Sequence, residues 1–179
     1  MKSHFMIDLE TMGIRPTSAI ISIGIALFNQ DTIIDTFYSP VSLQSCLLAG
    51  LTTDKSTEDW WAKQSVEARA AWQVEDAPTL PAVLSKMTAW MRSHSSQKES
   101  CPWGNGADFD LILLKNAFNA IDADPPWEFY NHHCFRTMKN MFTVGPQPRS
   151  GTHHNALDDA ISQTHHLHRI LTVHKLTLT

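Results

Sequence analysis

Apolar and charged residues alternate near the start of the chain, over residues 4–10, where Asp8 and Glu10 stand two positions apart. Successive side chains of a β-strand point to opposite faces, so this pattern predicts a strand with both carboxylates on one face. Two carboxylates this close repel each other and are costly to desolvate. The stretch is therefore either an edge strand with two solvated acids or a strand that offers two ligands to a divalent cation.

Two further strands are predicted directly after the first. Residues 18–28 are rich in β-branched side chains, which favour strands. Asn29-Gln30-Asp31 is a turn signal, and residues 32–38 then predict a third strand that forms a hairpin with the second.

Helical patterns alternate with shorter strands in the rest of the chain. The predicted order is helices over 41–72 and 80–91, a short strand that ends in a glycine-flanked loop over 101–106, a helix capped by Asp108, a strand over 129–135 followed by a short helix to Phe142, and a helix from about Asn155 into the 170s. The last helix should pack through Leu157, Ala160, Ile161, Thr164, His168 and Leu171. Strands that alternate with helices predict an α/β fold with a mixed sheet. No repeat or linker divides the sequence, so we expect one domain over 1–179.

Composition limits the class of protein. The chain has 179 residues, of which 42% are apolar and 18% are charged, as expected for a soluble globular domain. A formal net charge of −4 argues against a purely electrostatic nucleic-acid binder, but not against an enzyme that concentrates acids around metal ions. No apolar run is long enough to span a bilayer, so no membrane partner is expected.

The cysteines indicate a compartment. Cys46, Cys101 and Cys134 are odd in number and widely spaced, which argues against a disulfide framework or a zinc knuckle. The first residues lead straight into the predicted first strand, so we expect no signal peptide. Both observations favour a reducing cytoplasm.

Three acidic clusters can meet at one end of the predicted sheet. They are Asp8 with Glu10, Asp110 at a helix start, and Asp158 with Asp159 at another helix start. Loops and helix starts at strand ends are where α/β folds build their sites. Four converging carboxylates suit two divalent ions roughly 3.5–4 Å apart, the arrangement used for in-line phosphoryl displacement. A neutral histidine beside such ions can take the proton of the attacking water.

These motifs resemble those of the DEDDh 3′–5′ exonucleases, the DnaQ-like and RNase T-like group. The three matches, in order along the chain, are Asp8-x-Glu10, Phe109-Asp110 and His154-x-Ala156-x-x-Asp159. Thr11-Met12-Gly13, Trp60-Trp61 and Trp103-Gly104-Asn105-Gly106 are similar to a compact, single-domain branch that contains phage exodeoxyribonucleases and bacterial exoribonucleases. The resemblance implies an RNase H-like fold, in which antiparallel strands 1–3 and parallel strands form one mixed sheet flanked by helices.

The resemblance also implies an activity and its cofactors. The expected reaction is hydrolysis of single-stranded DNA or RNA from the 3′ end, with release of nucleoside 5′-monophosphates and two Mg²⁺ or Mn²⁺ ions as cofactors. The family's residues carry over to this chain as metal ligands and as a general base, His154; the ligands are Asp8, Glu10, Asp110 and Asp159. Asp8 is the residue expected to bridge the ions. Related enzymes often dimerise, so a homodimer is a further expectation.

Four residues are candidate substrate contacts. Thr11 and Met12 follow the first motif and would meet the terminal nucleotide, Met12 as an apolar wedge against its base. Asn105 lies one position further from the catalytic aspartate than the asparagine of the more common second motif, whose place is taken by Gly106. Arg149 would contact a phosphate, as Lys115, Arg136 and Lys139 also could, although scattered basic residues are usually solvated surface.

Several neighbours compete with these assignments. Asp110 is preferred to Asp108, because Asp108 is explained as a helix N-cap. Asp159 is preferred to Asp158 because of its five-residue spacing from His154, and His154 to His153 on the same motif. The remaining histidines and most of the six tryptophans are explained by packing or by a solvated surface.

Three functions are compatible with the sequence. The leading hypothesis is the metal-dependent exonuclease. The second is a non-catalytic nucleic-acid-binding module on the same fold, against which the complete set of acids argues. The third is a phosphohydrolase that clears very short oligonucleotides, which a comparison of long and two-residue substrates would separate from the first.

Overall fold

A mixed β-sheet runs through the centre of the computed structural model, which describes residues 2–70, 72–149 and 151–179. The strands formed by these residues are β1 (Ser3–Thr11), β2 (Ile20–Phe28), β3 (Ile33–Pro40), β4 (Ser100–Gly104) and β5 (His133–Cys134). The helices are α1 (Leu43–Leu48), α2 (Lys55–Trp61), α3 (Val66–Ala70), α4 (Leu80–His94), α5 (Asp110–Ala120), α6 (Phe135–Met141) and α7 (Ala156–His174), with a 3₁₀ turn at Phe129–Asn131.

The strand order of the sheet is β3-β2-β1-β4-β5. β1 pairs antiparallel with β2 and parallel with β4, and β2 and β3 form the expected hairpin. The prediction of an RNase H-like mixed sheet with antiparallel strands 1–3 and parallel strands, flanked by helices, is therefore confirmed. β1 lies in the centre of the sheet, because β2 pairs with one of its edges and β4, from much later in the sequence, pairs with the other.

The alternation in β1 separates two cores. Phe5, Ile7 and Leu9 are buried on one face, in a cluster that includes residues of α4 and α5. Met6 is buried on the other face, in a cluster with α6 and α7. Since alternate residues share a face, Asp8 and Glu10 point to the α7 side. The first strand thus carries its acids toward the last helix.

The packed face of α7 agrees with the predicted stripe at Ala160, Thr164 and Leu171, which are buried, and differs from it elsewhere. Leu157, Ile161 and His168 are partly exposed, whereas Gln163, His166, Leu167 and Ile170 are buried. The reason is that α7 packs against β1 and β2 through a face that includes a glutamine, which hydrogen-bonds to Asp8. The positions of apolar residues alone therefore do not predict the packed face of a helix that carries polar groups into a site.

Two other local predictions are also wrong. Asp108 is exposed and does not cap α5; the N-cap position is held by Phe109, without a side-chain hydrogen bond. The first helical residue, Asp110, accepts a hydrogen bond from its own backbone N–H instead. Residues 129–135 form the 3₁₀ turn and the two-residue β5 instead of a longer strand.

Across the ranges that the structure describes, no helix has the length and apolar character needed to cross a bilayer. Cys46, Cys101 and Cys134 are free thiols.

Candidate active site

The site begins at the carboxyl end of β1. Glu10 is 8% exposed, and Asp8 is partly buried. A bulge between Glu10 and Thr11 shifts the register with β2. The extra residue is Ile21 of β2, which lies between the partners of Glu10 and Thr11. β1 ends at Thr11, so its regular alternation of faces ends there.

Asp110 enters the site from the first turn of α5, directly after β4. Its carboxylate accepts backbone hydrogen bonds from its own N–H and from those of Asn105 and Leu9. Gly104 gives it room, because a Cβ on that residue would lie 3.0 Å from Asp110 Oδ2. Asp110 is 4% exposed, so its charge is held by backbone donors and not by water.

The start of α7 rests directly on the sheet at Gly24. A Cβ on Gly24 would lie 2.2 Å from the backbone of Ala156 and Leu157, so only glycine permits this approach. Gly24 pairs with Asp8 in the sheet. Asn155 caps the helix by accepting hydrogen bonds from the backbone N–H groups of its second and third residues. The close approach of α7 to Gly24 therefore brings the motif that contains Asp159 next to the motif that contains Asp8.

His154 and Asp159 complete the cluster. Glu10, His154 and Asp159 each offer a ligand atom, and these atoms lie within 4.8 Å of one another. The His154 backbone has a positive φ of 62°, and its N–H donates to Asp159 Oδ2 at 3.2 Å. Asp159 also receives a hydrogen bond from Arg149 at 2.7 Å. The structure thus brings together five residues that the sequence motifs nominate, namely Asp8, Glu10, Asp110, His154 and Asp159.

Burial raises the pKa values of Asp8, Glu10 and Asp110, and repulsion between carboxylates adds to the shift of the first two. Burial raises the pKa of Asp8 well above its ordinary value, and Asp110, Glu10 and Asp159 raise it further, while Gln163 opposes the shift. Burial, Asp159 and Asp110 raise the pKa of Glu10 to about 8. Burial likewise raises the pKa of Asp110 to about 7, against its backbone donors.

The charge balance of the cluster fits divalent cations. Arg149 is the cation that pairs with Asp159, and Gln163 is a neutral donor to Asp8. Four carboxylates are therefore matched by much less positive charge from the described chain. Their oxygen donors are the hard ligands that Mg²⁺ and Mn²⁺ prefer. The residues present fit such ions, with Asp8, Glu10, Asp110 and Asp159 as the ligands.

A cleft of about 410 Å³ opens beside Glu10. Its lining includes Thr11, Ile14, Trp60 and Trp61. The Trp60 ring is 40% exposed, and its centroid lies 4.7 Å from that of His154. Trp61 is buried and donates its indole N–H to the Thr11 carbonyl at 2.9 Å. The cleft joins an aromatic surface to the acidic cluster.

The predicted substrate contacts are placed differently from one another. Thr11 lines the cleft. Met12 does not: it is 4% exposed and lies in the core cluster that contains Leu9. The expectation of Met12 as an apolar wedge is therefore wrong for this structure, because β1 ends at Thr11 and its alternation of faces does not extend to Met12. Ile14, which is 77% exposed, takes the apolar position at the cleft.

Asn105 and Arg149 lie next to site acids. The Asn105 backbone N–H donates to Asp110, and its carbonyl accepts from Arg136 at 2.6 Å. Its side-chain Oδ1 is buried without a hydrogen-bond partner among the described residues. Asn105 thus supports Asp110 through its backbone. Arg149 is engaged with Asp159.

The competing neighbours have structural contacts. The Asp158 carboxylate accepts the backbone N–H of Thr152 at 2.7 Å and so braces the loop before α7. His153 is exposed, with its ring centroid 3.8 Å from that of His154. The alternative Asp108 is exposed, away from the buried Asp110 position.

Sequence reasoning missed Gln163, Gly24 and Ile14. Gln163 follows Asp159 by four positions, and residues at that spacing share a helix face; this signal could have found it. Nothing local in the sequence marks the close approach at Gly24, because the approach depends on a helix far along the chain.

Three comparisons with known proteins agree with this geometry. The model of the Rv2179c-like 3′–5′ exoribonuclease domain matches residues 3–171. An exodeoxyribonuclease of Enterobacteria phage T4 is 31% identical over 157 residues, which cover 74% of this chain and 69% of the phage protein.

Solved structures show the same fold. The nuclease domain of 3′hExo, a DEDDh family member bound to rAMP, has a TM-score of 0.67 at 19% identity, over 99% of this chain and 95% of that one. Exonuclease I of E. coli, in complex with a dT13 oligonucleotide, has a TM-score of 0.69 at 13% identity. That match covers 96% of this chain but 41% of exonuclease I, so the two share one domain.

Proposed function

Because the chain belongs to the Rv2179c-like 3′–5′ exoribonuclease domain family and is a 3′–5′ exonuclease of the DEDDh type, we propose that it removes nucleoside 5′-monophosphates from single-stranded 3′ ends of DNA or RNA by a two-metal mechanism with a histidine base. The observation that carries this proposal is the convergence of Glu10, His154 and Asp159 within 4.8 Å, beside Asp8 and Asp110.

The four carboxylates would hold the two ions, Mg²⁺ or Mn²⁺. Asp8 has Glu10, Asp110 and Asp159 as electrostatic neighbours, which supports its role as the ligand shared between both. When bound, the ions supply Lewis acidity at the scissile phosphate and at the attacking water. The protein's part is to keep the acids converged despite their repulsion, through the backbone donors to Asp110 and through Gln163.

His154 is the proposed general base. Burial lowers the pKa of His154, with His153 and Arg149 acting in the same direction and Asp159 against it. The imidazole is therefore neutral at neutral pH, as a group that accepts a proton from water must be. The rings of Trp60 and the backbone hydrogen bond to Asp159 limit its orientation.

The aromatic cleft is the proposed subsite of the terminal nucleotide. Trp60 and Ile14 present exposed apolar surface next to Glu10. A base that stacks on an aromatic side chain gains about 1–3 kcal/mol in any sequence. Stacking on Trp60 would place the adjacent phosphate toward the acids, so the cleft explains how an end of any sequence is bound.

Basic residues on α6 and in the loop before α7 are proposed to contact the rest of the strand. Burial lowers the pKa of Lys139, and Arg136 and Arg149 lower it further, so these three cations lie close together. Arg136 and Arg149 also act on site acids, Asp110 and Asp159 respectively. Lys115 is a neighbour of His132 instead.

A nuclease assay on matched substrates tests the proposal. Single-stranded DNA and RNA of equal sequence, labelled at the 5′ end, are incubated with the pure protein and Mg²⁺ or Mn²⁺, with EDTA and an Asp8→Ala variant as controls. A ladder that shortens from the 3′ end, and is lost in both controls, is expected. The faster substrate gives the sugar preference.

The same assay separates the alternatives. Cleavage confined to two-residue substrates would indicate an oligonucleotide-clearing enzyme. Retention of labelled strands without cleavage by a protein that binds no Mn²⁺ would indicate a binding module. A homodimer and a cytoplasmic location are further proposals, which sedimentation of the pure protein and fractionation of its cells would test.

A further inference from the structure

Gln163 reaches the metal-facing end of β1 from the second turn of α7. Its Nε2 donates to Asp8 Oδ1 at 2.6 Å. Gln163 is 3% exposed, so water does not compete for this hydrogen bond. The bond connects the first acidic motif to the helix that carries Asp159.

The orientation of the Gln163 amide is set by Asp8. An ionised carboxylate only accepts hydrogen bonds, so the amide must present its N–H₂ group. Its Oε1 is then buried, with no hydrogen-bond partner among the residues that the structure describes. A buried polar atom without a partner costs about 1–3 kcal/mol. If this side chain only filled space, a methionine would fill the same space without leaving a buried polar atom unpaired.

The other groups that act on Asp8 all have the opposite effect. Asp110, Glu10 and Asp159 repel its negative charge, whereas the hydrogen bond from Gln163 favours it. Side chains that hydrogen-bond to a metal ligand fix its orientation and commonly change metal affinity by about 10–100-fold. A donor on one carboxylate oxygen leaves the second oxygen free for an ion.

We propose that Gln163 is a positioning residue for metal binding: it holds Asp8 by Oδ1 and so presents the other oxygen to the ions. The proposal rests on the proposed function, in which Asp8 is a metal ligand. It extends the site from the five motif residues to a sixth, which acts through Asp8 and does not touch the reacting atoms.

Mn²⁺ binding by the purified full chain tests this role, measured by isothermal titration calorimetry without substrate. Gln163→Met keeps the length and burial of the side chain but removes the donor. We expect the Mn²⁺ dissociation constant to rise by about tenfold or more. Thr164→Val is the matched control, because Thr164 is buried in the same helix turn and its hydroxyl donates within the helix, to Ala160; its affinity should stay within about twofold of the wild type.

Nuclease kinetics give a second measurement. If Gln163 acts through the metal, kcat of Gln163→Met falls at low Mn²⁺ and recovers as Mn²⁺ is raised, while KM for the oligonucleotide is unchanged. Should Gln163→Met fail to fold, Gln163→Asn keeps a polar amide but is too short to reach Asp8, and the same loss of affinity is expected.

Two outcomes distinguish the failure of this proposal from that of the function. Wild-type affinity in folded Gln163→Met, together with weak binding by Asp8→Asn, would overturn the role of Gln163 alone. Wild-type affinity in Asp8→Asn would overturn the assignment of Asp8 as a ligand and, with it, both proposals.

Discussion

The two ends of β1 both bury polar side chains. The buried group is neutral and hydrogen-bonded at the amino end, whereas carboxylates that repel one another are buried at the carboxyl end. At the amino end, His4 is 4% exposed and accepts a hydrogen bond from the Trp103 indole at 3.1 Å. Burial, then His133 and Lys2, lower the pKa of His4 to about 4, so the ring is neutral. The aromatic rings of Phe28 and Trp103 lie beside it, with centroid distances of 5.6 and 6.0 Å.

At the carboxyl end, the side chains of the protein do not neutralise the negative charge that they bring together. Asp8 and Glu10 face two further carboxylates, and burial and repulsion raise the pKa of each. A cluster of this kind is stable only as part of a fold that is supported elsewhere. Burial alone therefore does not mark a functional site. A functional site is marked by buried charge that the protein leaves unbalanced and that an external ion can neutralise.

The largest expected effect comes from removing one charge at the carboxyl end. Asp8→Asn should lower kcat/KM on single-stranded substrates by roughly 10³-fold or more. The same variant should be at least as stable as the wild type in EDTA, because it removes a repelled charge. Steady-state kinetics and thermal unfolding measure the two effects; a marked loss of stability in EDTA would contradict the comparison.

The next effect separates a base from a ligand. His154→Gln should lower kcat by about 10²–10⁴-fold and leave the Mn²⁺ dissociation constant unchanged. His153→Gln, in the exposed neighbour, is the control and should retain most activity. If His154→Gln instead loses Mn²⁺ affinity, His154 is a ligand.

Metal addition should stabilise the wild type through the carboxyl end alone. At Mn²⁺ concentrations near 100 times the dissociation constant, linkage gives about 2.7 kcal/mol of added stability, which corresponds to a rise in Tm of roughly 5–10 °C for a chain of this size. Differential scanning fluorimetry measures it. The rise should persist in His4→Leu and disappear in Asp8→Asn.

Disrupting the amino end should affect stability without affecting catalysis. His4→Leu leaves the buried indole N–H of Trp103 without its acceptor, at a cost of about 1–3 kcal/mol. Urea unfolding measures this loss, and kcat/KM at saturating Mn²⁺ should match the wild type. A loss of activity in the folded variant would mean that the two ends are coupled.

The last expected effect is a pair of opposite pH dependences in metal-free protein. Glu10 has a native pKa of about 8, above its ordinary value of 4.5, so between these values the native state holds more protons and its stability falls as pH rises. His4 has a native pKa of about 4, below its ordinary value of 6.5, so over that interval stability rises with pH. Urea unfolding in EDTA should show that Glu10→Gln reduces the fall, to which Asp8 and Asp110 also contribute, and that His4→Leu reduces the rise.

Much of this architecture follows from local sequence patterns. The alternation over 4–10 gives the faces of β1, and the spacing from His154 to Asp159 selects the acid that turns toward Glu10. These signals are local, because strand and helix periodicities depend on neighbouring residues only.

The parts that sequence could not give depend on distant contacts. Met12 would share a face with Glu10 in a regular strand, but β1 ends at Thr11 and Met12 packs into the core. The spacing of Gln163 from Asp159 puts both on one face of the helix, but the hydrogen bond from Gln163 to Asp8 depends on where that helix packs on the sheet. The preference for Asp110 over Asp108 rested on a cap that does not form, although Asp110 is the residue that is buried.

The close contact at Gly24 has a consequence for the order of events during synthesis. Gly24 meets the first turn of α7, and most of the chain lies between them. The acids of β1 therefore have no partners from α7 until that helix has left the ribosome and docked. Long-range contacts of this kind form late, because the chain loses the entropy of closing a long loop before the contacts can stabilise it. A growing chain therefore lacks the complete acidic cluster until α7 has docked on the sheet.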